Sequence, residues 1–344
     1  MKKTFLTLFS LAILASNAVF ANETTKPEVL TLFSSQSNSI NKVWIGTFQL
    51  VFNDMKNKVL KRDVVFVNET PSEELIGLNK EEFKSSMLNS SSYYKSYGET
   101  SPKAKIKIEK AIKRKFKTTS DVLDSIDWSK GYGKYYAYAM LKKDFKFLKA
   151  FDKFENLAFN NSEKKFNFFG INDTSDEKLN KNVKVLFYNN ENDFAVQLLT
   201  KSKDGVYLFR TDKDTDLATL FKEMKEKELA YLGSKTFDSE DTLKVPNINL
   251  KEQRKYQELC NKQIIGTDLY FSEAIETIEL SLNNEGGKVK SEALLATRCL
   301  ALAPNDNKAR HFIFDKTFAM FLIDKKKNDP YLALRIADLE NLNK

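Results

Sequence analysis

The chain has 344 residues, is 42% hydrophobic and 12% aromatic, and carries 27 Phe, so it can build a sizeable core. Lys and Arg total 55 against 47 Asp and Glu, a net +8, yet the charges are interspersed along the chain, and no Arg-rich stripe with interleaved aromatics points to nucleic acid. One His and two Cys provide little for catalysis: GxSxG, HExxH, CxxC and Gly-rich phosphate-loop motifs are all missing, and no catalytic residue, metal site or cofactor is expected.

The chain opens MKKTFLTLFSLAILASNAVFANE. Lys2 and Lys3 form a basic start, residues 4–15 an apolar run, and Val19 and Ala21 fill the small-residue positions before a cleavage point. This pattern predicts a secretory signal peptide of bacterial type over residues 1–21. The apolar run is short for a membrane span, and no Cys follows the cleavage point to carry a lipid. A secreted or periplasmic protein of 323 residues, beginning at Asn22, is the expectation. Residues 22–40 are polar and read as a flexible segment, and 41–344 as one domain.

NKVWIGTFQLVFNDMKNKVL switches from a strand-like to a helix-like apolar period near Gly46. Residues 62–105 read as loops with short helices such as LNKEEFKSSML. IEKAIKRKFKTTSDVLDSI repeats Ile108, Ile112 and Phe116 at helical spacing, then breaks at TTSD, which starts a new turn before Val122. KYYAYAMLKKDFKFLKAF is a long run of β-formers. NVKVLFYN, DFAVQLLT and GVYLFRT read as three strands, the last two joined by KSKD. DTDLATLFKEMKEKEL is a capped amphipathic helix. TLKVPNINL reads as one strand whose proline suits a sheet edge. EQRKYQELCNKQI reads as a short helix; ETIELSL, HFIFDKTFAMFLID and PYLALRIAD read as strands. Helices mainly in the first half and strands in the second predict an α+β fold, with a large mixed or antiparallel sheet holding both IELSL and AYAMLKKDFKF, plus a smaller sheet. His311, at the start of a strand in ARHFIF, reads as a strand-edge side chain rather than a general base, because no candidate nucleophile has a matching motif. Asp121 and Asp124 are spaced as any acidic segment spaces them and give no glycosidase signal by themselves.

Several motifs, in this order, resemble the serpin family. In VPNINLKEQRKYQELCNKQIIGTDLYF the places of a proline-bearing strand, a short helix and a following turn are filled by Val245, Pro246, Ile248, Leu250, Leu259, Gly266, Asp268 and Phe271. IELSLNNEGG is similar to the strand and hinge before the serpin reactive loop, matched by Asn284, Glu285, Gly286 and Gly287. Phe312, Asp315, Phe318 and Phe321 resemble the strand after that loop, and DPYLALRIAD the last strand. Upstream the likeness is looser, and it spans most of residues 41–340. Gly46 stands where serpins usually have serine, and Leu334 where they usually have glycine.

The resemblance implies a non-enzymatic monomer that binds a protease or another protein, without nucleic acid and without a membrane once the signal is removed. Arg298 is the implied bait residue for a trypsin-like pocket and Leu300 a second choice. A serine- or cysteine-protease inhibitor is one reading; a non-inhibitory binding protein of the cell envelope is the alternative. NNEGGK reads equally as a hinge into an exposed loop or as a β-turn joining IELSL to KVKSEALLAT. An inserted strand would bury either Val289 and Ser291 or Lys288, Lys290 and Glu292; the second phase is costly, so full loop insertion is not expected. Under the same resemblance a Cys260–Cys299 bond would tether the loop to the body and close about 39 residues, worth on the order of 4 kcal/mol. Two unpaired, buried thiols are the other reading.

Overall fold

The computed structural model describes residues 27–342, apart from Asp121, Tyr132, Asn161, Lys203 and residues 290–308. The signal segment, Lys290, Arg298, Cys299 and Leu300 therefore lie outside the described residues. The chain begins with β1 (Glu28–Val29) and β2 (Lys42–Ile45) and turns at Gly46 into α1 (Thr47–Asp54). The turn needs the glycine's small size: a Cβ at Gly46 would lie 2.1 Å from Phe83 Cε1. Next come α2 (Glu73–Lys80), β3 (Tyr93–Glu99), α3 (Pro102–Phe116), β4 (Tyr135–Leu141) and β5 (Lys143–Lys146). The strands β6 (Asp152–Leu157), β7 (Phe166–Ile171), β8 (Val183–Asn190), β9 (Asp193–Leu199) and β10 (Asp204–Arg210) lead to α4 (Leu217–Ala230). The chain then forms β11 (Thr242–Pro246), β12 (Ile248–Lys255), β13 (Ile275–Asn283), β14 (Gly286–Val289), β15 (His311–Ile313), β16 (Phe318–Asp324) and β17 (Pro330–Ile336).

The fold is α+β, and three of its four described α-helices precede β5. The large sheet has seven strands in the order β1-β2-β17-β16-β10-β9-β8, mixed because β1 runs parallel to β2. Its central strands, such as FAMFLID and PYLALRI, are buried on both faces, which explains their near-continuous apolar runs. A four-stranded sheet, β15-β11-β7-β6, packs beside it through a run of rings: Phe194 to Phe314 at 5.0 Å and Phe314 to Phe318 at 5.3 Å. A second four-stranded sheet has the order β12-β13-β14-β5, and β3 pairs with β4. Because β4 runs into β5 across Lys142 alone, these last two sheets are joined by one continuous stretch of chain.

Several expected elements are placed differently. IELSL and DFKF do share a sheet, but it is the second four-stranded one, and AYAML pairs with β3 instead. TLKVPNINL is two strands in two sheets, and β11 is internal. Pro246 is tolerated there because β15 pairs only with Thr242–Lys244, so beyond that point one flank of β11 needs no N–H donor. HFIFDKTFAMFLID likewise divides into β15 and β16, in different sheets. EQRKYQELCNKQI is not a helix: β12 continues through Lys255, and only Gln257–Leu259 make a 3-10 turn. Its alternating burial from Ile248 onward is that of a strand paired with β13. The helix expected at LNKEEFKSSML lies earlier, at Glu73–Lys80, where Ser72 caps the Leu75 N–H and Glu81 closes the end at φ 57°. β3, β6 and β7 had no clear strand signal.

One buried ion group ties β5 to the large sheet. The Lys143 ammonium is 1% exposed and bonds Asp204, which is 0% exposed; it lies 3.8 Å from Asp324 and 4.2 Å from the centre of the Tyr331 ring. The Tyr331 hydroxyl donates to Asp204 Oδ1 at 3.1 Å and the Ser202 hydroxyl to Oδ2 at 3.0 Å. Every strong charge here is partnered, which is the condition for a buried pair to be tolerated. Replacing Lys143 by Met leaves two carboxylates buried without their cation, so Lys143→Met is expected to destabilise the fold by about 3–5 kcal/mol. Adding Asp204→Asn should return part of that loss; chemical denaturation of both variants tests this, and equal stability of Lys143→Met and the parent would refute it.

Candidate functional site, a cleft below a short hairpin

β13 and β14 form a hairpin in which Asn283 faces Gly286 and the turn is Asn284–Glu285. The strand alternates, burying Ile278, Leu280 and Leu282, and Asn283, Asn284 and Gly286 around the turn are residue types that such turns favour. Asn283 Oδ1 accepts the Glu285 N–H at 3.0 Å. The Phe147 and Phe151 N–H groups donate to the Glu285 and Asn284 carbonyls, each at 2.9 Å, and fasten the turn to the chain after β5. β14 also pairs antiparallel with β5, placing Gly286 opposite Lys146 and Val289 opposite Lys143. This seat explains the first glycine of EGG: at φ 153°, a Cβ on Gly286 would lie 2.0 Å from the Phe145 carbonyl oxygen. The hinge residues Asn284, Glu285, Gly286 and Gly287 are thus a tight turn and the start of a strand.

Val289 is buried and Lys288 exposed, so up to residue 289 the chain takes the phase that hides no charge. The charge objection to insertion accordingly does not apply to the described part of this strand.

Past Val289, the described strands on either side are paired on their outer flanks. β4 is paired with β3 on one side, and the Ile275–Glu279 part of β13 with β12 on the other. Among the described residues no strand lies between them. The cleft so formed is lined by Tyr138–Leu141 on one wall and Ile275–Glu279 on the other. Val289 closes its upper end, Ser120 and Val122 lie along it, and Phe48 and Val51 of α1 form its floor.

Among the described residues, Glu276 is the one carboxyl group buried in this lining. It extends the inward phase of Ile278 and Leu280 by two residues. Its Oε1 accepts the Phe48 N–H in the first turn of α1, and its Oε2 accepts the Tyr256 hydroxyl, both at 2.9 Å. The rings of Phe48 and Tyr256 stack at 3.7 Å, and the Arg254 guanidinium lies 4.5 Å from the centre of the Tyr256 ring. Burial pushes the Glu276 carboxyl up to about 7, although both hydrogen bonds and the cross-strand Arg254 act in the opposite direction.

The remaining predicted residues are spread out. His311 opens the edge strand β15, exposed, with Nδ1 2.9 Å from Thr242 Oγ1. Cys260 follows the Gln257–Leu259 turn and is half-buried, its Sγ 3.3 Å from the Tyr256 carbonyl oxygen. Arg298, Leu300 and Cys299 are outside the described residues, after the end of β14.

No family model and no curated protein matches the chain in sequence. Solved structures do. The chain is similar in structure to serpins. Serpin48 of the insect Tenebrio molitor is 12% identical, with 87% of this chain and 92% of that chain covered and a TM-score of 0.46. A cleaved Serpin 42Da is 12% identical over 69% of this chain and 66% of that one, with a TM-score of 0.45. Human thyroxine-binding globulin, complexed with thyroxine, is 11% identical over 69% and 64%, with a TM-score of 0.41.

The Glu276 carboxyl titrates near neutrality in the folded protein and in the usual carboxylate range when unfolded. Its raised folded pKa favours folding fully below about pH 4, and that contribution is lost as pH rises towards 7. Glu276→Gln keeps an acceptor for Phe48 and a donor for Tyr256 without the charge. The variant is expected to match the parent near pH 4 and to exceed it by about 3 kcal/mol above pH 8. Urea melts across that range test this; a pH-independent difference would refute it.

Proposed function

We propose that this chain is an exported serpin-like protein that engages a protease through the segment following β14, with Arg298 as the residue presented and Leu300 next to it. The observation that carries the reading is β14 itself, a strand seated between β5 and β13 at the head of a cleft whose two walls, among the described residues, have no strand paired between them. The partner is a protease or another protein, the chain acts without catalytic residues of its own, and it works as a monomer in the periplasm or the medium after removal of residues 1–21. A second reading, a non-inhibitory binding protein of the cell envelope, is favoured by the turn at Asn284–Glu285, already fastened by the Phe147 and Phe151 N–H groups.

Incubating the mature chain with trypsin-like, subtilisin-like and papain-like proteases separates the two. The first reading expects an SDS-stable complex with the trypsin-like enzyme that disappears in Arg298→Ala. Clean cleavage, or no reaction, would leave the second.

A Cys260–Cys299 bond belongs to the same proposal, because it would hold the presented segment against the body of the protein. An exported chain sits where such bonds persist. Thiol titration of the denatured, unreduced mature chain is expected to find none; two thiols per chain would exclude the tether.

A further inference from the structure

The buried ion group under β5 holds a nucleophile, an electrophile and a proton carrier in one water-poor place. Lys143, Asp204 and Asp324 are 1%, 0% and 2% exposed. Asp204 and Asp324 stand directly opposite each other across β10 and β16, and the two carboxylates share one ammonium. Like charges in opposite positions of an antiparallel pair are unfavourable, and every buried ion carries a desolvation cost. The other buried lysine among the described residues, Lys42, differs: its partner Asp214 is 51% exposed and keeps its water.

The cluster is also aimed. Lys143 Nζ bonds Asp204 Oδ1, and Asp324 Oδ2 lies 3.8 Å from the same nitrogen. The Tyr331 hydroxyl donates to Asp204 Oδ1 at 3.1 Å and the Ser202 hydroxyl to Oδ2 at 3.0 Å, so both oxygens of the carboxyl are polarised. Burial, with Asp204 beside it, pushes the Tyr331 hydroxyl well above its ordinary range, and it stays protonated as a donor.

We propose that Lys143 and Asp204 condense in the folded chain to an isopeptide bond between Nζ and Cγ, with Asp324 carrying the proton that leaves with the water. The ammonium first passes a proton to Asp204 Oδ1, giving an amine beside a carboxylic acid. The nitrogen lone pair attacks Cγ, and the carbonyl pair moves to Oδ2, where the Ser202 hydroxyl donates. The nitrogen then releases a second proton to Asp324. As the carbonyl re-forms, the Cγ–Oδ1 bond breaks, and Oδ1 takes the Asp324 proton and departs as water. Three buried charges become one, on Asp324, beside the new amide N–H. Holding the two groups in contact replaces an encounter in solution by a step within one molecule. The bond would tie β5 to β10 covalently across 61 residues of sequence. It is separate from the cleft and does not depend on the protease reading.

The test is the intact mass of the reduced, denatured mature chain. It is expected to be lighter by one water than its sequence, and trypsin should release a branched peptide joining residues 143–146 to 204–210. Lys143→Arg keeps a cation in the cluster but cannot form this bond, and should give no branched peptide. Asp324→Asn keeps both reacting groups and should retain a larger unreacted fraction than the parent. Asp204 precedes Gly205, and a cyclic imide at that bond also loses one water, but it gives no branched peptide and reopens in mild base. The parent's own peptides decide the matter even where a variant fails to fold. A parent at full sequence mass, or water loss without the branched peptide, would overturn the proposal. A folded Asp324→Asn that reacts as fully and as fast as the parent would overturn the role given to Asp324.

Discussion

A lysine ammonium sealed from water has to bring its anions with it, and Lys143 does so where two sheets meet. β5 gives the cation, while the start of β10 and the end of β16 give the carboxylates of Asp204 and Asp324. The start of β17 gives the Tyr331 ring and hydroxyl. Desolvation makes any loosening of this group unfavourable, so β5 is held at a defined height over the large sheet. The position of β14 follows, because Val289 is placed opposite Lys143. The upper end of the cleft is therefore set by a charge pair beneath the sheet as much as by pairing within it.

Two different constraints act at the two ends of β14. At its start, backbone proximity excludes any side chain at Gly286, and the Asn284–Glu285 turn is fastened from outside by two N–H groups. At its last described residue, Val289 is buried at the head of the cleft. Glu276 adds a charge-sensitive contact on the same cleft, linking β13 to the first turn of α1 and to Tyr256. The cleft wall is thus coupled to a group that changes charge near neutral pH.

α3 and α4 arrange their surface charge differently. Its core face is ordinary, three apolar residues at helical spacing under a Ser101 cap and a Pro102 start. Its outer face collects like charges that α4 neutralises with i,i+3 and i,i+4 pairs.

The sequence by itself determined the α+β class, the strand-to-helix switch at Gly46, the apolar period of α3, the cap and apolar period of α4, and the strands from NVKVLFYN to GVYLFRT. Each of these is a local matter of period, turn residue or cap. It left Asn284 to Gly287 open between a hinge and a turn after a strand. Tertiary structure alone decided which sheet each strand joined, why TLKVPNINL and HFIFDKTFAMFLID divide, and why EQRKYQ extends a strand in place of a helix. Those outcomes depend on partners distant in sequence, such as β13 for β12 and β7 for β11. Glu276 and Lys143 were silent for the same reason: a charge in an otherwise apolar phase acquires meaning only when Tyr256, Phe48, Asp204 and Asp324 are brought to it from other elements.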